Sequence, residues 1–216
     1  MKNLVCVFAH PDDESFGPGG TIAKFSKKYN VYILSATKGD AGQSSIRSKN
    51  LGEVRSEELK KAAKILGVKK VYFLGFKDGT LNNNIYHKLA SKIEEKLKIL
   101  KPEIVLTFEP QGISGHIDHI TISMVTMFAV QKLKFIKEVW QHCRPQGYDK
   151  FIKNYFIYFP KGYKKSQIQK VVKTNDVWEK KLEAMRAHKS QAADFERVLK
   201  IQSKLPKEEY FLVIKP

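Results

Sequence analysis

The sequence predicts an α/β fold, a Rossmann-like three-layer sandwich on a mainly parallel sheet, in a single domain spanning residues 1–216. Three observations predict it. Short apolar runs alternate with helical patterns along the first half of the chain, the order expected of strands joined by crossover helices. Two of the runs, Leu4 to Ala9 and Ile104 to Phe108, are almost continuously apolar, as central strands covered on both faces must be. Polar clusters follow the runs directly, at the strand ends where open parallel sheets bind ligands.

Taken in order, strands are expected at Leu4 to Ala9, Val31 to Ala36, Val71 to Phe76 and Ile104 to Phe108, with helices at Thr21 to Lys28, Glu53 to Leu66 and Ile85 to Leu100. Gly67 and Pro102 punctuate the ends of the second and third helices, as a left-handed cap and a helix stop do. Beyond them the pattern predicts a helix from Ile120 to about Lys134, strands around Val139 and from Tyr155 to Phe159, helices over Asp176 to His188 and Ala192 to Lys204, and a last strand at Tyr210 to Ile214. No internal repeat and no Gly/Ser-rich linker suggests a domain boundary.

Composition excludes several classes. With 42% hydrophobic and 11% aromatic residues spread over 216 positions, the chain is no disordered protein. No run reaches the roughly 18 apolar residues of a membrane span, and the first apolar run is too short for a signal-peptide core, so a cytoplasmic protein is expected. Cys6 and Cys143 are too few for a disulfide framework, and Cys6 in its apolar run reads as a buried, reduced thiol. The net charge of +17, from 39 Lys and Arg against 22 Asp and Glu, would attract nucleic acid, anionic lipid or acidic substrates. The lysines are scattered as pairs, without a long block or an aromatic-basic signature. That pattern reads as a solvated surface rather than a specific nucleic-acid site.

The chemistry concentrates in two strings. Ala9-His10-Pro11-Asp12-Asp13-Glu14 sets one imidazole beside three carboxylates at the end of a buried strand. Adjacent buried carboxylates repel, and a divalent cation resolves the conflict; His with Asp suits zinc or a neighbouring transition metal. Helix capping by Asp12 or Asp13 is the structural alternative. Gly115-His116-Ile117-Asp118-His119 follows another buried strand and opens a helix, where a spacing of three puts His116 and His119 on one face. Surface or capping histidines are the alternative for that string alone.

With these motifs the chain resembles the zinc-dependent N-acetylglucosaminyl deacetylase superfamily, the LmbE-like or PIG-L-like proteins. The resemblance adds Gly19-Gly20-Thr21, Thr37-Lys38-Gly39-Asp40-Ala41-Gly42, Arg55-Ser56-Glu57-Glu58 leading to Leu66-Gly67-Val68, Leu74-Gly75-Phe76 with Asp78-Gly79, and His188-Lys189-Ser190-Gln191. It implies zinc, or another first-row divalent cation, held by His10, Asp13 and His119 with a position open for water. It implies Asp12 as general base and His116 as the group that stabilises the oxyanion or protonates the leaving amine. It also implies Arg55 and Asp78 as contacts to substrate hydroxyls, with a salt bridge for Arg55 and a bare Asp-Gly turn as the structural alternatives. Family members usually carry Pro where Ile117 stands.

The implied activity is hydrolysis of the N-acetyl group of an N-acetylglucosamine-type conjugate. The partner is then a small acetylated amino sugar, without a specific nucleic acid or membrane span and compatible with a homo-oligomer. Two rivals are a zinc amidohydrolase acting on a non-sugar amide and a basic nucleic-acid- or membrane-surface-binding protein with a vestigial metal site. Roles for Glu14, His188 and Gln191, and the aglycone, stay open at this level.

Overall fold

The computed structural model describes residues 1–148 and 158–216. Among these residues seven strands form one sheet in the order β3-β2-β1-β4-β5-β7-β6: β1 Lys2–Phe8, β2 Tyr29–Ser35, β3 Lys70–Phe73, β4 Ile104–Phe108, β5 Glu138–Cys143, β6 Lys170–Lys173 and β7 Glu208–Ile214. Strands β1 to β5 are mutually parallel. β7 runs antiparallel between β5 and β6. The expected α/β class and mainly parallel sheet are therefore correct.

Among the described residues eight α-helices accompany the sheet: α1 Asp13–Phe16, α2 Gly19–Phe25, α3 Leu51–Leu66, α4 Tyr86–Leu100, α5 Gly112–Gly115, α6 Ile117–Val130, α7 Trp178–Ala187 and α8 Ala192–Gln202. α2, α3 and α7 pack together in one layer, and α4 and α6 in another. Between the layers Leu4 to Phe8 of β1 and the whole of β4 are buried, which is why their sequence shows no polar alternation. Gly67 ends α3 at φ 82°, its N–H on the carbonyls of Ala63 and Lys64, the left-handed cap that glycine adopts without strain. Lys101 caps α4 at φ 43° ahead of Pro102.

β6 is not among the strands expected from the sequence. Its Lys-Val-Val-Lys string is a four-residue edge strand with Val171 half exposed. So short a strand, with lysine at both ends, leaves little period to read. The strand expected at Tyr155 to Phe159 lies outside the described residues, except for Tyr158 and Phe159, which have no regular structure. Cys6 and Cys143 are both buried free thiols. Among the described residues no helix is long and apolar enough to cross a membrane.

Because β1 to β4 are parallel, their carboxyl ends face the same way. The loops that follow them converge, bringing His10 to Asp12, Gly39-Asp40, Asp78-Gly79 and Glu109 to His116 to one end of the sheet.

Candidate active site

The loop after β1 turns sharply at Asp12, whose φ of 110° lies in the left-handed region, uncommon for a residue with a Cβ. Two contacts hold it there. Asp12 N–H donates to Glu14 Oε2 at 3.1 Å, and its own Oδ2 accepts from Arg55 Nη2 at 2.9 Å. The turn aims Asp13 back at the strand end, where its Oδ2 accepts the N–H groups of Ala9 and His10 at 3.1 and 2.8 Å.

His10, Asp13 and His119 come together. His119 Nε2 is 3.2 Å from Asp13 Oδ1 and 3.2 Å from His10 Nδ1, and one ligand atom from each residue falls within 4.8 Å of the others. The remaining ring nitrogens are anchored. His10 Nε2 lies 2.9 Å from Asp78 Oδ1 and 3.1 Å from Asp118 Oδ2, while His119 Nδ1 lies 3.1 Å from the Gly112 carbonyl. Facing only acceptors, those distal nitrogens carry ring protons, which leaves His10 Nδ1 and His119 Nε2, beside the Asp13 carboxylate, as the atoms that would turn lone pairs to a bound cation. Two lone pairs and a carboxylate meeting at one point fit a divalent cation, and distal carboxylate or carbonyl partners are the usual support of metal-binding histidines.

The local field agrees. Burial pulls the His10 pKa down, but hydrogen bonds from Asp118 and Asp78 and the nearby Asp13 charge outweigh it and push it up to about 10. Burial raises Asp13, yet His119 and His10 hold it well below the usual carboxylate range. The cluster is thus electrically built to receive positive charge. Asp12 goes the other way: burial and the neighbouring Asp13 push it up to about 6, with Arg55 the largest restraint.

A second group, His10, His116 and Asp118, also has ligand atoms close together, but its atoms are occupied. Asp118 accepts the N–H groups of Gly79 and Leu81 at 2.9 and 3.2 Å as well as facing His10. His116 caps α6, its Nδ1 accepting the Asp118 N–H at 3.1 Å. This group is a hydrogen-bonded brace for the first. Burial and the His119 and His10 charges lower His116 to about 4, so it is neutral, and with Nδ1 accepting, its proton sits on Nε2. Its ring stacks on His119 at 4.7 Å, and His119 stacks on Phe108 at 4.2 Å.

Arg55 and Asp78 lie at the site, although both already have protein partners. Arg55 is 4% exposed and donates to the carbonyls of Pro11 and Gly39 at 2.7 and 2.8 Å besides Asp12. Its Nε has no hydrogen-bond partner among the described residues. Asp78 accepts from Ala41 N–H at 3.0 Å and supports His10.

His188 and Gln191 are buried rather than at an exposed helix end. His188 Nε2 contacts Glu14 Oε1 at 2.7 Å. Glu58 of α3 accepts the N–H and hydroxyl of Ser190, and Gln191 Nε2 donates to the Gln43 carbonyl, so this string clamps the loop after β2.

Sequence reasoning missed three contributors. Asp118 sat in plain view between the two histidines. Glu109 accepts from Gln111 and Ile113 N–H and from the Tyr163 hydroxyl, holding Ile113 at φ 65°, a strained geometry for a β-branched residue. His142, paired with Phe108 in the sheet register, is pushed down to about 4, mainly by burial. A cleft of about 820 Å³ joins these parts, lined by His10, Asp12, Asp13, His116, His119, Arg55, Asp78 and His142 and extending to Trp178 and Tyr210. That volume takes a small glycoside.

Comparison with known proteins gives concordant results. The family described as PIG-L, GlcNAc-PI de-N-acetylase, matches residues 5–130. The chain is 30% identical to a probable N-acetyl-alpha-D-glucosaminyl L-malate deacetylase 2 of Bacillus anthracis, covering 89% of this chain and 84% of that protein. It is also 30% identical to a 1D-myo-inositol 2-acetamido-2-deoxy-alpha-D-glucopyranoside deacetylase of Kineococcus radiotolerans, of which it covers 45%. Among solved structures it is similar to N,N'-diacetylchitobiose deacetylase of Pyrococcus horikoshii (TM-score 0.72, 21% identity, 99% of this chain and 84% of that chain). The hydratase GalB of Pseudomonas putida KT2440 also shares the fold (TM-score 0.74, 18% identity, 100% and 97%).

Proposed function

The chain belongs to the PIG-L family of GlcNAc-PI de-N-acetylases, and from that membership we propose that it is a zinc-dependent N-deacetylase of an N-acetylglucosaminyl conjugate. The observation that carries the reading is the convergence of His10 Nδ1 and His119 Nε2 on the Asp13 carboxylate, with the Asp12 carboxylate beside them in the same cleft. Fold alone would not suffice, since a hydratase shares it.

A zinc ion held by His10, Asp13 and His119 supplies Lewis acidity and a water of lowered pKa. The chain's own residues do the rest. Asp12 is the base that takes the proton of the attacking water and delivers it to the amide nitrogen, so that amide and water become acetate and free amine. Arg55 holds that carboxylate ionised and oriented. His116, neutral with its proton on Nε2, donates a hydrogen bond to the developing oxyanion. Asp78 fixes His10 from behind and, with Arg55, borders the space for the sugar hydroxyls.

The relative covered along most of its length is named for an L-malate conjugate, which supports a small hydroxylated or carboxylated aglycone, and a dissolved substrate in the cytoplasm. The test measures primary-amine release from N-acetylglucosaminyl malate, its inositol counterpart, diacetylchitobiose and a simple non-sugar acetamide, with metal content assayed in parallel. Release from a glycoside by zinc-loaded protein and none after chelation is expected. Release from the non-sugar acetamide alone would move the reading to a general amidohydrolase.

A further inference from the structure

The opposite end of the sheet carries a charge that the cleft does not use. The connections entering β2, β3, β4 and β5 comprise residues 26–28, 67–69, 101–103 and 131–137; of these 16 residues seven are lysine and one, Glu103, is acidic. Lys27 and Lys28 precede β2, Lys69 precedes and Lys70 opens β3, Lys101 precedes β4 and Lys134 precedes β5, all of them exposed. Glu103 is already shared between Lys2 at 3.0 Å and Lys137 at 2.8 Å. Among the described residues Lys27, Lys28, Lys69, Lys101 and Lys134 make no ion pair. At the other end the loops after β1 to β4 set Asp12, Asp40, Asp78 and Glu109 against Lys38, Arg47, Lys49 and Lys77, so charge balances there and the excess of lysine lies at this end of the strands.

Lysines near helix ends commonly answer the helix dipole, but these lie beyond the last turns, side by side. Five adjacent strands at about 4.8 Å spread them over a band roughly 20 Å wide. Two large apolar side chains stand exposed at this end: Met1, just before β1, at 74%, and Ile99, in the last turn of α4 between Lys98 and Lys101, at 65%; the second is the one fixed by the fold. It is held near the start of β1 by the hydrogen bond from Asn3 Nδ2 to the Leu100 carbonyl at 2.6 Å.

We infer that this face docks on the surface of an anionic lipid bilayer. Its connections contain no arginine, and so lack the planar fork that reads phosphates and bases in nucleic acid. They offer no exposed aromatic ring on which a base would stack. Compact lysine charges on a face of short loops suit a planar, delocalised field that acts within a Debye length of contact, and Ile99 suits the apolar boundary beneath the headgroups. Docked this way, the protein opens its cleft away from the membrane to dissolved substrate.

Sedimentation of the full chain with phosphatidylcholine vesicles, with and without about a third phosphatidylglycerol, tests the inference. Binding to the anionic vesicles should exceed that to neutral ones at least tenfold and weaken as salt rises. The triple variant Lys27→Glu/Lys69→Glu/Lys134→Glu should lose about a hundredfold in partitioning while keeping its fold and deacetylase rate. Lys49→Glu/Lys88→Glu/Lys161→Glu, with the same charge change near the cleft end, should lose less than about twofold. Equal loss in both variants, indifference to vesicle charge, or tighter binding to duplex DNA lost only in the first variant would overturn it.

Discussion

The Arg55 guanidinium stands 2.9 Å from the Asp12 carboxylate with both side chains withdrawn from solvent, 4% and 15% exposed. Arg55 thereby opposes the burial that raises Asp12. Removing it makes Asp12 easier to protonate. For Arg55→Gln the acid limb of the pH–rate profile should move up by about one pH unit, the equivalent of a charged hydrogen bond of about 1.5 kcal/mol. Turnover should fall roughly ten- to hundredfold, with zinc content unchanged. An unmoved acid limb in folded, zinc-loaded protein would make Arg55 a structural residue.

Asp12 and Asp13 are separable by metal content. Asp13→Ala removes the carboxylate between His10 and His119 and should deplete zinc and activity together. Asp12→Asn keeps the shape and a residue that tolerates the left-handed turn. It should retain zinc and lose about a hundredfold or more in turnover. Metal analysis beside kinetics decides, and the reverse pattern would exchange the two roles.

His188 and Glu14 form a buried pair 2.7 Å apart. Despite burial, Glu14 raises the His188 pKa. A raised folded-state value means that the pair's contribution is complete below the unfolded histidine pKa of about 6.5 and fades as pH rises through the folded value. His188→Gln should cost about 3 kcal/mol in urea unfolding near pH 6, and the gap to the parent protein should shrink in more alkaline buffer. A pH-independent gap would mean that His188 acts by packing alone.

Ile117 occupies the first position of α6 and is 63% exposed. Its predecessor His116 is extended at φ −65°, ψ 124°, the backbone a following proline requires. Proline there gives up an N–H that needs no helical partner, so Ile117→Pro should stabilise the fold by about 0.4 to 1 kcal/mol, a rise of roughly 1 to 4 °C in Tm. A lower Tm would show that this N–H or the isoleucine side chain is engaged.

The parts legible in the sequence were local. Each apolar run ended at its polar cluster, and the parallel topology that the alternation implied was enough to bring His10, Asp13, His116 and His119 together. What escaped was non-local or short. The partner of Glu14 is 174 residues away at His188, and the anchor of the loop after β4 pairs Glu109 with Tyr163, 54 residues on. No periodicity encodes such pairs. β6 escaped because four residues flanked by lysine hold too little pattern. Asp118 is the exception, a local residue in plain view between two histidines to which the sequence reading assigned no role.

The antiparallel β7 also sets an order of events during synthesis. β5 pairs with β7, yet roughly 65 residues separate the end of one from the start of the other. At about 5 to 20 residues per second the ribosome takes about 3 to 13 s to deliver the missing strand. Meanwhile β5, with Val139, Trp140 and Cys143 destined for the interior, presents an open hydrogen-bonding edge, the kind that recruits other chains. The nascent protein therefore passes through a window of vulnerability after the loops that carry His10, Asp13 and His119 have been made, and a chaperone or the neighbouring helices must shield that edge until residues 208–214 emerge.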